Sequence, residues 1–292
     1  MDAGLRAELS RFISQQGLPE DYIAIIQEYL LPLAEWIASR KREKPLVTGI
    51  NGAQGSGKST LTAALAIILE HCHGFKVATL SIDDLYLTRY ERLKLAEEKH
   101  PLLKTRGVPG THDVRLGIDT IHRLISASGD VLVPRFDKYT DDRMPEPLWS
   151  KYQAPVDMVL FEGWCLATPP QSQLELIQPV NELERMEDDE RHWREFVNDS
   201  LAGGYQQLFD LVDALVFVKA PGFNSVLQWR SAQEHKTFKA HEEEGMNIQQ
   251  LTHFVQHYER LTRVSLECLP DIADVVLELN GDQQITRAIY KS

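Results

Sequence analysis

The sequence has few of the features that mark secreted, membrane-spanning or disulfide-rich proteins. It contains three cysteines in 292 residues, and Cys72, Cys165 and Cys268 stand far apart in no metal-ligand spacing. This pattern argues against a disulfide framework or a zinc site and favours a reducing compartment. No apolar run approaches the roughly 18 residues of a membrane span, and the polar N-terminus does not resemble a secretory signal. We therefore expect a cytoplasmic protein without a membrane partner.

Positive charge is also scarce. The 31 Lys and Arg residues stand against 43 Asp and Glu residues, which gives a formal net charge of −12 at pH 7. Such a balance argues against bulk binding to nucleic acid, although it leaves room for a local basic pocket. The hydrophobic fraction of 43% is that of an ordinary globular protein with a sizeable core. We expect a monomer or a small homo-oligomer, and the sequence does not decide between them.

Short apolar runs recur along the chain, and helical patterns separate several of them. The runs lie at 46–50, 76–82, 157–161, 214–218 and 273–279. This alternation predicts βαβ units and an α/β fold with a mainly parallel sheet covered by helices. Residues 1–44 have the apolar spacing of two helices, interrupted at 17–19, and predict a helical extension ahead of a domain over 45–292.

Two connections between the predicted strands are long and polar. Residues 84–115 and 134–156 are rich in Arg, Lys, His, Asp, Pro and Gly. Because connections of this length in a compact domain are usually functional, we expect them to bind substrate. We interpret 164–211 as a helical insertion, and its acidic run at 182–190 predicts a solvated helix face without a chemical role.

The strongest motif in the chain is GAQGSGKS at 52–59, which fits G-x-x-x-x-G-K-[ST] throughout. It follows a predicted strand and precedes a helical pattern, as this phosphate-binding loop requires. Its glycines let backbone N–H groups curl around phosphate oxygens, and the helix directs its positive end at the same anion. We expect Lys58 to reach the β- and γ-phosphates and the Ser59 hydroxyl to ligate Mg²⁺. The motif predicts nucleotide binding by Gly52, Ala53, Gln54, Gly55, Ser56, Gly57, Lys58, Ser59 and Thr60.

Acidic residues follow two of the predicted strands. Asp83 and Asp84 come after the second strand, and Glu162 ends the third. In a parallel sheet these carboxylates reach the edge that holds the phosphates. Asp83 is therefore placed to take a proton from an attacking hydroxyl or to hold Mg²⁺ through water, and Glu162 to bind metal or substrate. Helix capping by an aspartate, or pairing of Glu162 with a base, remains open.

Six segments occur in order along the chain. They are GAQGSGKS at 52–59, SIDDLY at 81–86, RGVPGTHD at 106–113, PRFDK at 134–138 with DR at 142–143, FEGW at 161–164 and WRSAQE at 229–234. Over about residues 45–280 the set resembles the D-glycerate 3-kinase family. This family includes plant photorespiratory glycerate kinases and belongs to the wider phosphoribulokinase, uridine kinase and pantothenate kinase group. The resemblance implies a P-loop NTPase three-layer sandwich with a helical lid at about 222–265.

The resemblance also implies roles for individual residues. Asp83 corresponds to the base, Glu162 to the acid of the family's E-G pair, and Arg230 to the lid arginine that reaches the transferring phosphoryl group. Lys58 completes this catalytic set, and Ser59, Asp83 and Glu162 are the implied Mg²⁺ ligands. The implied acceptor contacts are Asp83, Tyr86, Arg106, Thr111, His112, Asp113, Arg135 and Lys138. The chain departs from the family at 247–250, where it reads NIQQ and the family usually has an acidic residue.

The residues themselves favour a small acid as the acceptor. A small carboxylate needs a cationic grip, and Arg106, Arg135, Lys138 and Arg143 offer one, whereas these connections carry few aromatic faces for a nucleoside. We therefore predict an ATP- and Mg²⁺-dependent kinase that phosphorylates a hydroxyl of a small carboxylic acid, and the family resemblance implies D-glycerate as that acid. Two alternatives stay open. One is a P-loop kinase for a nucleoside, a pantothenate-like molecule or a sugar, and the other is a nucleotide-binding regulatory ATPase.

Overall fold

The computed structural model describes residues 1–231 and 247–291. Its strands are β1 (Leu46–Gly52), β2 (Val77–Ser81), β3 (Gly129–Val133), β4 (Phe136–Asp137), β5 (Asp142–Arg143), β6 (Ser150–Ala154), β7 (Met158–Gly163), β8 (Ala214–Lys219), β9 (Val275–Leu279) and β10 (Ile285–Tyr290). Six of them form the central sheet in the order β10-β9-β8-β1-β7-β2. All neighbours in it are parallel except β9 and β10. The five predicted apolar runs supply the parallel strands, so the predicted fold class is confirmed.

Helices cover both faces of this sheet. They are α1 (Ala3–Gln15), α2 (Tyr22–Ile25), α3 (Leu31–Arg40), α4 (Lys58–His73), α5 (Arg89–Glu98), α6 (Val114–Ser126), α7 (Glu182–Glu187), α8 (His192–Ser200), α9 (Gln206–Phe209), α10, described over 223–231, and α11 (Ile248–Ile272). A π-helical turn over Ile26–Leu30 joins α2 to α3. None of the helices in these described stretches is both long and apolar enough to cross a bilayer.

The sheet separates two hydrophobic cores, because successive side chains of a strand point to opposite faces. In β7, Met158 and Leu160 join the core that lies against α1, α3 and α4, whereas Val159 and Phe161 join the core that lies against α6 and α8. Both central strands beside the phosphate-binding loop, β1 and β7, are buried along their whole length. The functional loops therefore extend from a rigid three-layer scaffold.

The acidic run at 182–190 differs from the sequence prediction. Glu184 and Asp188 are buried, at 0% and 2% exposure. Glu184 accepts hydrogen bonds from Arg260 Nε and Nη2 at 2.7 and 2.6 Å, and Asp188 accepts one from Arg194 Nη1 at 2.8 Å. The prediction of a solvated face was wrong at these two positions, because the run carries the internal ion pairs that fasten α7 and α8.

Candidate active site

The phosphate-binding loop connects the end of β1 to the start of α4. Gly55 and Gly57 adopt the left-handed backbone conformation, with φ of 77° and 82°, and Gly57 is the N-cap of α4. An added Cβ at Gly55 would lie 2.8 Å from Trp229 Cβ, so the loop tolerates no side chain there. The N-terminal end of α4 therefore faces the cradle with its unpaired N–H groups, which is the arrangement that binds phosphate.

Glu162 lies directly beside this loop. The register of β1 against β7 pairs Ile50 with Glu162, so the carboxylate emerges where the loop begins. Ser59 Oγ donates a hydrogen bond to Glu162 Oε1 at 2.7 Å, and Lys58 Nζ lies 3.8 Å from Glu162 Oε2. That second oxygen is buried and accepts no hydrogen bond from the described residues. A buried carboxylate oxygen without a donor is costly, which marks a place for a cation.

Asp83 lies in the single turn that follows β2. Ser81, rather than either aspartate, caps this turn, because its Oγ accepts the hydrogen bond from Asp83 N. Asp83 Oδ2 accepts a hydrogen bond from Lys138 Nζ at 2.6 Å, and its Oδ1 accepts one from the Tyr86 hydroxyl at 2.9 Å. Burial alone would raise the pKa of Asp83, but the positive charges of Lys138 and Lys58 outweigh it and hold the pKa well below its usual range.

Asp84 fastens the segment that carries Lys138. Its Oδ2 accepts a hydrogen bond from Arg135 Nη1 at 2.6 Å, and its Oδ1 accepts one from Phe136 N at 3.1 Å. Burial raises the pKa of Asp84 despite the nearby Arg135. Arg135 is held at its other edge as well, since its Nε donates to Ser150 Oγ at 2.8 Å.

The hairpin of β4 and β5 is anchored by an ion cluster that sequence reasoning missed. Arg92, 1% exposed, donates from Nη2 to Asp141 Oδ2 at 2.6 Å and from Nη1 to Leu87 O at 2.7 Å. Arg106 Nη1 pairs with the other oxygen of Asp141. Arg92 belongs to a helix whose sequence looks merely polar, and only the distant partner in the hairpin reveals its role.

The remaining residues of 106–113 are used mainly within the fold. Thr111 is fully buried, and its hydroxyl donates to Val108 O while accepting from Gly107 N. Asp113 is the N-cap of α6 and lies 3.4 Å from Arg143 Nη2. These contacts place Thr111 and Asp113 in the support of the site.

His112 lies between two tyrosines. Its Nδ1 is 2.6 Å from the Tyr205 hydroxyl, and its ring stacks on Tyr86 with the ring centres 4.5 Å apart. Burial lowers the pKa of His112 to about 3, so the ring is neutral at neutral pH. His112 thus supports Tyr86, which in turn donates to Asp83.

Arg230 lies on α10 next to the phosphate-binding loop. Its neighbour Trp229 contacts Gly55, and the Trp229 indole N–H donates to Gly281 O at 2.7 Å. Gln283, in the same β9–β10 turn, donates from Nε2 to Gly55 O. The Arg230 guanidinium lies over the Phe254 ring of α11 at 5.5 Å. Residues 232–246, which include the rest of this motif and part of the predicted lid, lie outside the described residues.

One cleft of about 280 Å³ brings the two halves of the site together. Its lining includes Ser59, Asp83, Asp84, Arg135, Lys138 and Glu162. Ser59 of the phosphate-binding loop, the strand-end carboxylates and two residues of the PRFDK segment therefore share one opening. Arg106, Tyr86 and His112 stand behind the Asp83 side of this cleft, where their contacts fix Asp83 and the hairpin.

The oxygen atoms of Ser59, Asp83 and Glu162 fit Mg²⁺. This ion prefers oxygen ligands and is commonly held by one or two carboxylates together with water and substrate phosphates. Across residues 1–231 and 247–291, no group of three or more His, Cys, Asp or Glu side chains is arranged to hold a metal. The donor set thus suits an ion that arrives with a nucleotide more than one held in a closed protein cage.

The fold and this cleft define the class of the protein as a P-loop kinase. No family model matches the chain. It is 35% identical over 223 residues to the uncharacterized kinase mug58 of Schizosaccharomyces pombe, across 74% of this chain and 79% of that protein.

Two further matches carry an activity in their names. The chain is 31% identical over 224 residues to the chloroplastic D-glycerate 3-kinase of Arabidopsis thaliana, across 73% of this chain and 46% of that protein. The solved structure of D-glycerate 3-kinase from Cryptococcus neoformans matches with a TM-score of 0.71 at 25% identity, and the match covers 100% of both chains. The chain therefore belongs to the D-glycerate 3-kinase family of P-loop kinases, as its resemblance implied. The predicted kinase class is confirmed.

Proposed function

We propose that the protein transfers the γ-phosphoryl group of Mg²⁺-bound ATP to a hydroxyl of D-glycerate. The observation that carries this proposal is the cleft itself. Asp83 lies in it beside the phosphate-binding loop, and Arg135 and Lys138 add two cations to its wall. A cleft of about 280 Å³ suits a small anionic acceptor next to a triphosphate, and two relatives are named for glycerate.

In this proposal each side of the cleft has its own task. Gly52–Ser59 cradle the β- and γ-phosphates, with Lys58 and the α4 N-terminus compensating their charge. Ser59 and Glu162 would hold Mg²⁺, and Asp83 would hold it through water; the bound ion would neutralise charge on the phosphates. Asp83 orients the acceptor hydroxyl and takes its proton, and Arg230 approaches from the lid. Phosphoryl transfer depends mainly on positioning and charge compensation, which this arrangement supplies.

Acceptor-dependent consumption of Mg·ATP tests the proposal. The purified protein is assayed with and without D-glycerate, and the product is identified by mass spectrometry. We expect strong stimulation by D-glycerate and a phosphoglycerate product. L-glycerate, uridine, pantothenate and a sugar serve as competing acceptors under the same conditions.

Two results would contradict the proposal. ATP turnover that proceeds equally fast without an acceptor would favour a regulatory ATPase. Turnover stimulated by uridine, pantothenate or the sugar, with D-glycerate inert, would keep the kinase and replace its acceptor.

The organisation of the chain belongs to the same proposal. We assign 1–44 to a helical extension, 45–292 to the kinase domain, 164–211 to a helical insertion and about 222–265 to a lid with its following helices. We also expect a cytoplasmic monomer or small homo-oligomer that binds no nucleic acid. Free thiols at Cys72, Cys165 and Cys268 are consistent with a reducing compartment.

A further inference from the structure

The Lys138 ammonium binds the carboxylate of Asp83, which the proposed reaction needs as a base. Its ammonium lies 2.6 Å from Asp83 Oδ2, and the Tyr86 hydroxyl takes Asp83 Oδ1. Both carboxylate oxygens therefore already accept hydrogen bonds. An attacking hydroxyl must therefore compete with these two donors for the lone pairs of Asp83.

Lys138 is the partner that is free to leave. Tyr86 is 3% exposed and packed between His112 and Phe136, whereas the Lys138 side chain is 61% exposed. It lies in the turn between β4 and β5, where rotation about its own side-chain bonds moves the ammonium away from Asp83. Arg135, the other cation of the cleft, is held by both Asp84 and Ser150. Of these two cations that line the cleft, Lys138 is therefore the one whose side chain has room to move.

We propose that the acceptor's carboxylate draws Lys138 away from Asp83, so that binding of an acid acceptor frees the base. This inference rests on the proposed function and extends it to the choice of substrate class. One ammonium then performs two tasks, because it binds the acceptor carboxylate and leaves Asp83 Oδ2 open for the acceptor hydroxyl.

The chemical step then balances. The acceptor hydroxyl oxygen forms a bond to the γ-phosphorus, and the bond between that phosphorus and the oxygen bridging to the β-phosphate breaks. The hydroxyl proton passes to Asp83 and from there to solvent. ADP leaves with the bridging oxygen, and the acceptor leaves as its phosphate ester.

This exchange of Lys138 from Asp83 to the acceptor carboxylate predicts discrimination against neutral alcohols. Glycerol has the size and hydroxyls of glycerate but no carboxylate, so it leaves Lys138 on Asp83. A glycerol molecule in the cleft therefore meets an occupied base. The protein therefore selects acid acceptors in two ways: Lys138 binds their carboxylate, and its departure from Asp83 activates the base.

The test compares D-glycerate and glycerol as acceptors for the full-length wild type, Lys138→Met and Lys151→Met. Lys151 is a matched control, because its side chain is also 61% exposed and its Nζ lies 2.5 Å from Asp130 on β3, outside the cleft lining. For Lys138→Met we expect kcat/KM with glycerate to fall roughly 10- to 100-fold, the effect of losing one charged hydrogen bond. With glycerol we expect a several-fold rise, because Asp83 is released. Lys151→Met should match the wild type with both acceptors.

Three outcomes overturn the exchange. In the first, Lys138→Met keeps the wild-type ratio between the two acceptors. In the second, it loses activity equally with both, which would place Lys138 on the phosphoryl group. In the third, Lys151→Met shifts the ratio as strongly. A wild type that phosphorylates no carboxylic acid contradicts the proposed function itself, which is a distinct result, and thermal melting of each variant verifies that it is folded.

Discussion

Lys58 and Glu162 define the nucleotide side of the site at the level of single residues. The Lys58 ammonium lies 3.8 Å from Glu162 Oε2, which has no other partner among the described residues. This distance is too long for a tight ion pair, and the Lys58 side chain is 11% exposed at the mouth of the phosphate-binding loop. Its charge therefore serves a phosphate better than it serves the fold.

Replacement of Lys58 by alanine separates these two roles. We expect Lys58→Ala to lower kcat by about two to three orders of magnitude, because one fixed charge at the developing phosphoryl charge is lost. The variant should remain folded with a lowered melting temperature, since it leaves the buried Glu162 without its nearby cation. Activity and melting are measured together, with the exposed Lys76→Ala as the control. Near-normal turnover of Lys58→Ala would remove the P-loop from the chemistry.

The sequence predicts the residues whose position is set locally. The phosphate-binding loop is a contiguous motif, and Asp83 and Glu162 follow strands whose parallel pairing brings their ends to one edge. Arg92 and Asp141 could not be predicted in this way. They lie 49 positions apart, and their contact depends on how the hairpin folds onto α5. The same limit explains Glu184, which reads as a surface acid until Arg260, 76 positions away, packs beside it.

At the scale of elements, the hairpin of β4 and β5 depends on α5 for its position. Arg92 crosses from α5 and holds both the carbonyl and the carboxylate of Asp141. The hairpin is only two residues deep on each side, so its own ladder is too short to be stable alone. Lys138 lies in the turn of this hairpin, so the contact of Arg92 with Asp141 also places Lys138 in the cleft.

Arg92→Met removes the anchor while keeping the apolar stem of the side chain. We expect the free energy of unfolding to fall by about 1–3 kcal/mol, below the full cost of a broken buried pair, because Asp141 is partly exposed. We also expect the KM for the acceptor to rise and the KM for ATP to stay near the wild-type value. Denaturant unfolding and steady-state kinetics measure these effects.

Lys94→Met on the same helix is the control, because its pair with Glu98 is exposed on both sides. This variant should leave stability and both KM values unchanged. An equal rise of the two KM values in Arg92→Met would show that the anchor supports the whole site instead of the acceptor side alone.

At the scale of the whole molecule, two histidines are buried in the neutral state, and both lie beside the core that packs against α6 and α8. Burial lowers the pKa of His112 to about 3 and that of His257 to about 4. In the unfolded chain both return to about 6.5. Between the folded and unfolded pKa values, the unfolded chain binds protons that the folded protein does not bind. The contribution of these neutral rings to stability is therefore fully present above about pH 6.5 and falls as the pH drops toward 4. The raised pKa of Asp84 acts in the opposite direction, which makes a single-residue comparison necessary.

His257→Gln isolates one of these contributions. At pH 5, which is 1.5 units below the pKa of His257 in the unfolded chain, the folded protein does not bind the proton that the unfolded chain binds. This difference should lower the wild type's free energy of unfolding by about 2 kcal/mol relative to pH 7. The variant carries no titrating group there, so its loss between the two pH values should be smaller by that amount. Urea unfolding at both pH values measures the difference, and the exposed His192→Gln serves as the control. Equal losses in wild type and His257→Gln would mean that the buried ring accepts its proton without unfolding, and the acid sensitivity would then have to arise from the carboxylates of the cleft.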